Sequence, residues 1–371
     1  MFHLTQSRIM SRGSSRRRRR FSVSPGPAGR RVGRHAVTAV LAVALVAALA
    51  PGAAEACACG CDIFDLGATN AFPNSSESGW SAWLRYDFMN QNKNRVGSSY
   101  APASENADKA IRTSFYTLGA QYMFNADWGV MAEMPIFRRA FTSTGDGTAY
   151  AAGSIYTSNL TALGDTMVQG VYSGFSADHS TGLTFGLKLP TGNYTGPYVP
   201  ANPRLGTTGG PAYDRDTLPG TGSTDLLLGG YHVGFLTRDM KLSYFTQARY
   251  DVAFLERAGA TGTYRPGNEL DAAAGLQYNL GAHGPFQNIA PLMQILASYR
   301  DPDSGTAASP NSGFRRWLIG PGVAMSFRKF TLYANVDIPI VDHVFTDVPA
   351  SGNYGQLVPS AIWQMQLAYN F

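Results

Sequence analysis

Hydrophobic and polar residues alternate along most of the chain after residue 79. In the segment WSAWLRYDFM the even positions from 80 to 88 are apolar, whereas the odd positions include Arg85 and Asp87. In WGVMAEMPI, Glu133 lies opposite an apolar face that runs from residue 128 to residue 136. Three further segments show the same arrangement, and their polar faces carry Lys188, Asp271 and Asp337. A period of two places successive side chains on opposite faces of a β-strand, so these segments are predicted to be strands with one apolar and one polar face.

The predicted strands and their connections form a regular series. The pattern predicts about twelve strands, at residues 80–90, 111–124, 128–138, 164–175, 181–190, 224–236, 241–253, 269–280, 289–300, 314–328, 330–340 and 361–371. Short connections at 125–127, 176–180, 237–240, 281–288 and 328–329 alternate with long ones at 91–110, 139–163, 191–223, 254–268, 301–313 and 341–360. This alternation is typical of an outer-membrane barrel, which has short periplasmic turns at one end and long extracellular loops at the other.

The length of the strands favours a membrane barrel over a soluble β-sandwich, the other fold that amphipathic strands build. The segments approach the roughly nine to eleven residues that a tilted strand needs to cross a bilayer. Aromatic residues near the predicted strand ends suit an interfacial girdle, namely Trp80, Trp128, Trp317, Trp363 and Tyr369. The last segment, AIWQMQLAYNF, resembles the C-terminal strand of bacterial outer-membrane proteins, which ends in an aromatic residue. The predicted fold is all-β: a transmembrane antiparallel up-and-down β-barrel.

The chain begins with a segment of different composition. Residues 1–56 contain arginine runs, the apolar stretch AVTAVLAVALVAALA and a small-x-small end, which together predict a cleavable secretory signal. They hold ten of the thirty Lys and Arg residues and one of the twenty-five Asp and Glu residues, so the remainder has a formal net charge of −4. Such a chain offers no basic footprint for nucleic acid. The predicted organisation is a signal peptide at 1–56, a periplasmic segment at 57–79 and a barrel at 80–371, in the outer membrane of a Gram-negative bacterium.

Four blocks of sequence resemble those of a known outer-membrane family. They are ALGDTMVQGVYSGF (162–175), GLKLPTGNY (186–194), PGTGSTDLLLGGY (219–231) and YRPGNELDAAAGLQYNL (264–280). In this order they are similar to the recurring blocks of the family named after the meta-pathway of phenol degradation, and the resemblance covers roughly residues 80–371. The resemblance implies an outer-membrane channel that takes up aromatic or other small hydrophobic compounds.

Charged residues on the polar faces are predicted to line the lumen, because Arg or Lys facing lipid at mid-depth costs about 2–4 kcal/mol. The candidate pore-lining residues carry both signs and are Arg85, Asp87, Glu133, Lys188, Arg249, Asp271, Arg316 and Asp337. Either they pair across the lumen and hold the barrel open or shut, or they select the solute that passes. A barrel of this size leaves a narrow lumen or one that a short segment plugs.

The predicted function is passive uptake or efflux of small molecules, with outer-membrane lipid and the solute as partners. The alternative is a closed barrel with a structural, adhesive or partner-binding role. Catalysis is not expected, because the chain contains no G-x-S-x-G or H-E-x-x-H motif. The histidines after residue 56 are scattered between opposite ends of the predicted barrel, at His179, His232, His283 and His343.

All three cysteines lie in the stretch CACGCDIFDLG, which signal cleavage would place at a periplasmic N terminus. Four interpretations stay open. They are a lipid anchor on Cys57, a disulfide favoured by the oxidising periplasm, a plug or tether with incidental thiols, and a metal site. In the metal interpretation Cys57, Cys59, Cys61 and Asp62 converge on one soft ion such as Cu(I) or Zn(II). The ion would fix the segment as a plug or pass to a periplasmic partner protein.

Overall fold

The computed structural model describes residues 78–145, 151–195, 217–259, 262–309, 311–346 and 354–371. The predicted signal peptide and the cysteine cluster lie outside these residues. The described strands are β1 (Gly79–Val96), β2 (Ser99–Tyr100), β3 (Asp108–Met123), β4 (Trp128–Thr144), β5 (Ile155–Leu163), β6 (Thr166–Tyr172), β7 (Thr181–Leu189), β8 (Asp225–Phe235), β9 (Leu242–Ala253), β10 (Arg257–Gly259), β11 (Gly262–Tyr264), β12 (Glu269–Tyr278), β13 (Asn288–Arg300), β14 (Phe314–Phe327), β15 (Phe330–Val344) and β16 (Gln356–Asn370). One 3-10 turn, Ala103–Glu105, precedes β3. Over these ranges, no helix has the length and apolar character needed to cross a membrane.

Most of the strands form one closed antiparallel barrel, whereas β10 and β11 form a separate two-stranded sheet and the short β2 pairs with the end of β1. The wall strands pair in chain order, with β9 next to β12, and β16 closes the circle by pairing with β1 from Ser81↔Asn370 to Arg95↔Gln356. β5 and β6 both pair with β4. β5 pairs with the part of β4 near the long loops, and β6 pairs with the part near the short turns, so that together they occupy one position in the wall. Without β2, β10 and β11, and with β5 and β6 counted as one, the barrel has twelve strands, and the predicted fold class is confirmed.

Alternation along each strand separates the lumen from the outer surface. In β1, Leu84 points outward and is 46% exposed, whereas the next residue, Arg85, points inward and is 3% exposed. The outer surface carries large apolar side chains such as Leu118 and Leu367, which no other part of the described chain covers. A wall that is apolar outside and polar inside is what a bilayer requires of a barrel, because lipid supplies no partner for a polar group.

Several strands are longer than the sequence pattern predicts. β1 has 18 residues and β4 has 17, so parts of the predicted long connections, such as 91–96 and 139–144, belong to the wall. These extensions carry polar residues on their outer face; Thr142 and Thr157, for example, share a hydrogen bond of 2.8 Å between their hydroxyls. A wall segment beyond the lipid band needs no apolar outer face, so the alternation that marks the membrane part is lost there.

Aromatic pairs ring the end of the barrel that carries the short turns. Trp80 lies 4.8 Å from Tyr122 and Trp128 lies 4.5 Å from Tyr172, measured between ring centroids. This matches the predicted girdle at that end. Trp363 is different, because it lies near the middle of β16, opposite Phe88; its placement at a strand end was wrong.

Hydrogen bonds within the short turns fix their shape. In the turn between β6 and β7, the Asp178 carboxylate accepts a hydrogen bond of 2.6 Å from the Ser176 hydroxyl and one of 3.2 Å from the Ser180 backbone N–H. These bonds stabilise the charged carboxylate and lower the pKa of Asp178 to about 2.

Candidate functional site: the barrel lumen

All eight charged residues that the sequence assigns to the lumen occupy inward positions of the wall. Asp87 and Asp337 are 0% exposed, and Arg316 is 4% exposed. Each of the eight contacts other polar groups inside the barrel. Their role in selecting a solute stays a prediction, but the geometry defines three groups of contacts.

The first group joins β1 to β4. The Arg85 guanidinium lies 3.0 Å from the Asp87 carboxylate and 3.9 Å from the Glu133 carboxylate. The Trp83 indole N–H donates a 3.2 Å hydrogen bond to the same Glu133 carboxylate. A buried arginine is therefore balanced by two carboxylates, which offsets part of the cost of removing these charges from water.

The second group lies on the facing wall, across β7, β8, β9 and β12. The Lys188 ammonium bridges the carboxylates of Asp225 and Asp251 at 2.7 Å each. One strand further round the wall, the Arg249 guanidinium on β9 lies 3.5 Å from the Asp271 carboxylate on β12. These contacts tie four neighbouring strands together by charge as well as by backbone pairing.

The third group lies on β13, β14 and β15. Arg316 pairs with Asp342 at 3.2 Å. The Asp337 carboxylate accepts hydrogen bonds from the side-chain amides of Gln294, at 3.0 Å, and Asn335, at 2.8 Å. Gly320 faces Asp337 from β14, and a Cβ at this position would collide with the carboxylate.

Apolar side chains fill much of the lumen between these groups. Ten buried residues from nine strands pack into one cluster: Met89, Phe115, Phe137, Phe245, Ala273, Leu292, Leu296, Leu318, Tyr333 and Ile362. Most of the circumference contributes to this cluster, so apolar side chains narrow the lumen at its level. The sequence pattern did not reveal it, because inward apolar residues look like interruptions of the polar face.

A cavity of about 110 Å³ remains inside the barrel. Apolar and charged side chains both line it. The apolar lining includes Phe115, Pro135, Phe137 and Met167, and the charged lining consists of Arg85, Arg139, Asp165, Lys188, Arg249, Asp251, Glu269 and Arg300. The Arg139 guanidinium lies 4.8 Å from the centroid of the Phe137 ring. The rings of Phe115 and Phe137 stand 5.5 Å apart. Such a cavity suits a small molecule with an apolar body and a polar group.

Residues 217–221, which precede β8, fold into the lumen and border this cavity. Leu218 is 8% exposed and packs in a second apolar cluster, with Ile111, Phe141, Leu160 and Leu357 from the inner faces of β3, β4, β5 and β16. The Arg139 guanidinium donates a hydrogen bond to the Thr217 carbonyl oxygen. The segment therefore reaches away from β8 toward the inner face of other strands.

The carboxylate of Asp165 holds this segment in place. Asp165 lies at the break between β5 and β6, and it accepts hydrogen bonds from the backbone N–H of Gly192, at 2.9 Å, and of Thr221, at 2.8 Å. The Thr221 hydroxyl donates a third bond of 2.8 Å. A Cβ on Gly220 would collide with the backbone of Gly192, so the two connections approach as closely as glycine allows. We call this arrangement the Asp165 junction, comprising Asp165, Gly192, Gly220 and Thr221.

The Asp165 junction was not among the predicted site residues. Its parts lie in three of the sequence blocks quoted above, in LGDT, PTGN and PGTGS. The available signal was a glycine in each of three separate blocks, one of which also contains the aspartate. Nothing in one sequence, however, shows that three blocks so far apart meet at one carboxylate.

The wall itself opens between β15 and β16 at the long-loop end. The two strands pair from Phe330↔Tyr369 to Asp337↔Ile362 and then separate. Pro339 and Pro359 border a second cavity of about 310 Å³ at this point, together with Arg95 and Asp342. Proline has no backbone N–H to donate, so these two positions favour the separation of the strands.

The four histidines of the described residues do not form a common site. The His232 ring accepts or donates hydrogen bonds with Thr181 and Tyr244, both at 2.8 Å, and the His343 ring contacts the Ser98 hydroxyl at 2.7 Å. Within the ranges that the structure describes, no three His, Cys, Asp or Glu side chains are placed to hold a metal ion. The predicted ligands Cys57, Cys59, Cys61 and Asp62 lie outside those ranges, so the metal site stays a prediction.

Comparison with known proteins agrees with the fold. An outer-membrane channel of Pseudomonas putida F1 is similar to 84% of this chain over 100% of its own length, with a TM-score of 0.58 and 12% identity. The β domain of the Bordetella autotransporter BrkA covers 80% of this chain and 100% of its own, with a TM-score of 0.45 and 13% identity. A FadL homologue of Pseudomonas aeruginosa covers 85% and 98%, with a TM-score of 0.39 and 11% identity. No protein-family profile and no curated protein sequence matches the chain.

The chain has the fold of an outer-membrane barrel. At 12% identity the similarity to the Pseudomonas putida channel concerns the fold alone, so the function has to be argued from the lumen.

Proposed function

We propose that this protein is a narrow passive channel for small, mainly apolar molecules in the outer membrane of a Gram-negative bacterium. The observation that carries the proposal is the cavity inside a closed barrel, which is lined by the rings of Phe115 and Phe137 and by charged residues. A solute with an aromatic body would contact the two rings, and a polar substituent would contact the charged groups. The resemblance of the four sequence blocks to the family of the meta-pathway of phenol degradation supports the same class of solute.

The charged groups of the lumen do not favour free passage of ions. Each pair described above sets opposite charges at 2.7–3.9 Å, so their fields largely cancel beyond the pair. An ion that crossed the apolar cluster would lose its water without gaining an equivalent partner, which costs several kcal/mol. A small aromatic molecule meets no such barrier, since it loses only contact with water.

Purified protein in a planar lipid bilayer tests this proposal. We expect small, discrete current steps that shorten or disappear when a small aromatic solute is added, because the solute then occupies the cavity. Glucose at the same concentration is the matched control and should leave the steps unchanged. Equal interruption by both solutes would contradict the proposed selectivity, and a silent bilayer would contradict an open channel.

The filled lumen favours one second candidate, a closed barrel that serves as a structural or partner-binding protein. Residues 217–221 and the apolar cluster would then be a permanent plug. Uptake in cells distinguishes the two functions. Expression of a channel would raise the uptake rate of a radiolabelled aromatic compound in a host whose outer membrane limits it, whereas expression of a closed barrel would not.

A further inference from the structure

The outward face of β3 and β4 changes from apolar to polar at one height along the barrel. In β4 the outward positions Trp128 to Ile136 are apolar, and the next outward residue is Arg138, which is exposed. In β3 the outward residues from the turn end include Leu118 and Tyr116, followed by Ser114 and the exposed Arg112. Both arginines project from the outer surface of the wall rather than into the lumen.

The two arginines are neighbours across the strand pair. Arg112 is paired with Ala140, and Arg138 is paired with Ser114, so the arginines occupy diagonal positions on the same face. Diagonal positions lie about 7–8 Å apart, within reach of two long side chains that meet at one ligand. The outward positions of β1, β3, β4 and β5 contain no Asp or Glu. This part of the outer surface therefore has a concentrated positive charge.

Their height places them at the border of the lipid band. Arg138 lies ten residues beyond Trp128, which belongs to the aromatic girdle at the turn end. Ten residues of strand extend about 33 Å, or about 25 Å along the membrane normal at a tilt of about 40°. This equals the height of the apolar band of an outer-membrane barrel, roughly 25 Å. Arginine is tolerated at the border, where its cost falls to about 0–1 kcal/mol, but not at mid-depth.

We propose that Arg112 and Arg138 form a binding site for a phosphate group of the phosphorylated glycolipid in the outer leaflet. The long-loop end of the barrel faces the cell surface, where this lipid presents its phosphates just above the acyl chains. A planar guanidinium binds phosphate by two parallel hydrogen bonds, and two arginines at diagonal positions surround one phosphate from both sides. Outward hydroxyl and amide groups, on Asn159 and Thr161 of β5, supply further partners for the sugar.

The test measures binding of labelled bisphosphorylated lipid A to the full chain in detergent micelles. Arg112→Ala with Arg138→Ala should weaken binding at least about tenfold, since two charge-assisted contacts are lost. The double change to Lys should weaken it less, because the charges stay and the paired geometry is lost. Arg315→Ala is the matched control; this arginine is also outward and exposed but lies on β14 beside Trp317, and its loss should leave the affinity within about twofold.

Three comparisons decide the ligand. Dephosphorylated lipid A should bind at least about tenfold more weakly to the wild type, and phosphatidylglycerol and millimolar inorganic phosphate should compete poorly. The proposal is overturned if the dephosphorylated lipid binds equally well, if the double alanine variant binds like the wild type, or if any anionic phospholipid competes equally. Single-channel current of the double variant should match the wild type, so failure of this proposal is distinguishable from failure of the channel function.

Discussion

Removing the negative charge at the Asp165 junction should release residues 217–221 from the lumen. The change Asp165→Asn keeps the size of the side chain but leaves one acceptor oxygen where the carboxylate has two. The carboxylate accepts three hydrogen bonds, from Gly192 and Thr221. If the amide oxygen keeps both bonds from Thr221, the amide N–H₂ must face the N–H of Gly192. The bond is then lost and two donors oppose each other.

The size of the effect follows from these contacts. A hydrogen bond to a charged group contributes about 1.5–3 kcal/mol, and an unsatisfied buried donor costs about 1–3 kcal/mol. The weaker acceptance by a neutral oxygen adds to this, and relaxation of the connection subtracts from it. We therefore expect Asp165→Asn to destabilise the seated position of residues 217–221 by about 2–4 kcal/mol. This shifts the equilibrium between seated and released positions by about 30- to 800-fold.

Two measurements follow the release. A cysteine at Leu218, in a background without the three native cysteines, reports whether the segment is seated, because Leu218 is 8% exposed in the seated position. Its reaction with a water-soluble maleimide should accelerate at least about tenfold when Asp165→Asn is added. Single-channel conductance of the same variant should increase, since the segment no longer narrows the lumen.

Asp337→Asn is the matched control, because Asp337 is a buried lumen carboxylate that accepts two side-chain hydrogen bonds but does not contact residues 217–221. It should leave the maleimide rate unchanged. This role of the Asp165 carboxylate is refuted if Asp165→Asn leaves both the rate and the conductance at wild-type values while circular dichroism shows an intact barrel. It is also refuted if the control accelerates the reaction equally.

Four further predictions concern the rest of the chain. Cysteine at position 133 should react with a water-soluble thiol reagent faster than cysteine at 134 in membrane-embedded protein, because 133 faces the lumen and 134 the lipid; equal rates would contradict the assigned faces. Phe137→Ala should lower the affinity for aromatic blockers of the current by about tenfold or more, through loss of one ring of the cavity, and an unchanged affinity would place the solute elsewhere. The folded-state pKa of Asp178 is depressed to about 2, so the hydrogen bonds to its charged carboxylate should contribute fully to stability above about pH 4. This contribution should be lost as the pH falls toward 2. An Asp178→Asn variant should therefore lose less thermal stability than the wild type between about pH 4 and pH 2. Protein loaded with zinc or copper under reducing conditions should retain one equivalent, and changing the three cysteines of residues 57–61 to serine should abolish this; absence of metal from the wild type would favour the disulfide.

The wall of the barrel could be predicted from sequence because lipid imposes a strict rule on it. An outward charge is costly, whereas an inward one can pair with an opposite charge, so the position of Arg85 or Asp271 determines which face of its strand points to the lumen. The rule applies only within the lipid band. Beyond it the outer face of β1 and β4 is polar, and the predicted strands ended too early for that reason.

The interior could be predicted only in part. The inward charges were assigned to the lumen from alternation, but their partners were not, since the partner of Lys188 on β7 is Asp225 on β8 and also Asp251 on β9. A pairing of this kind depends on the shear of the barrel and on side-chain rotamers, neither of which leaves a periodic signal. The course of residues 217–221 depends on contacts with Asp165, more than fifty residues earlier in the chain.

The positions of charge and apolar surface in the lumen together indicate what limits passage. The paired charges hold neighbouring strands together and contribute little net field to the cavity, whereas the apolar cluster raises the free-energy cost of moving an ion with its water through the lumen and keeps the ion current small. An aromatic solute passes such a region if side chains give way by small rotamer changes, but it cannot pass a backbone segment that is tied to the wall. Residues 217–221 are tied by the Thr217 carbonyl to Arg139 and by Thr221 to Asp165. The strength of the Asp165 junction, rather than the charge of the lumen, should therefore set the rate at which this barrel conducts.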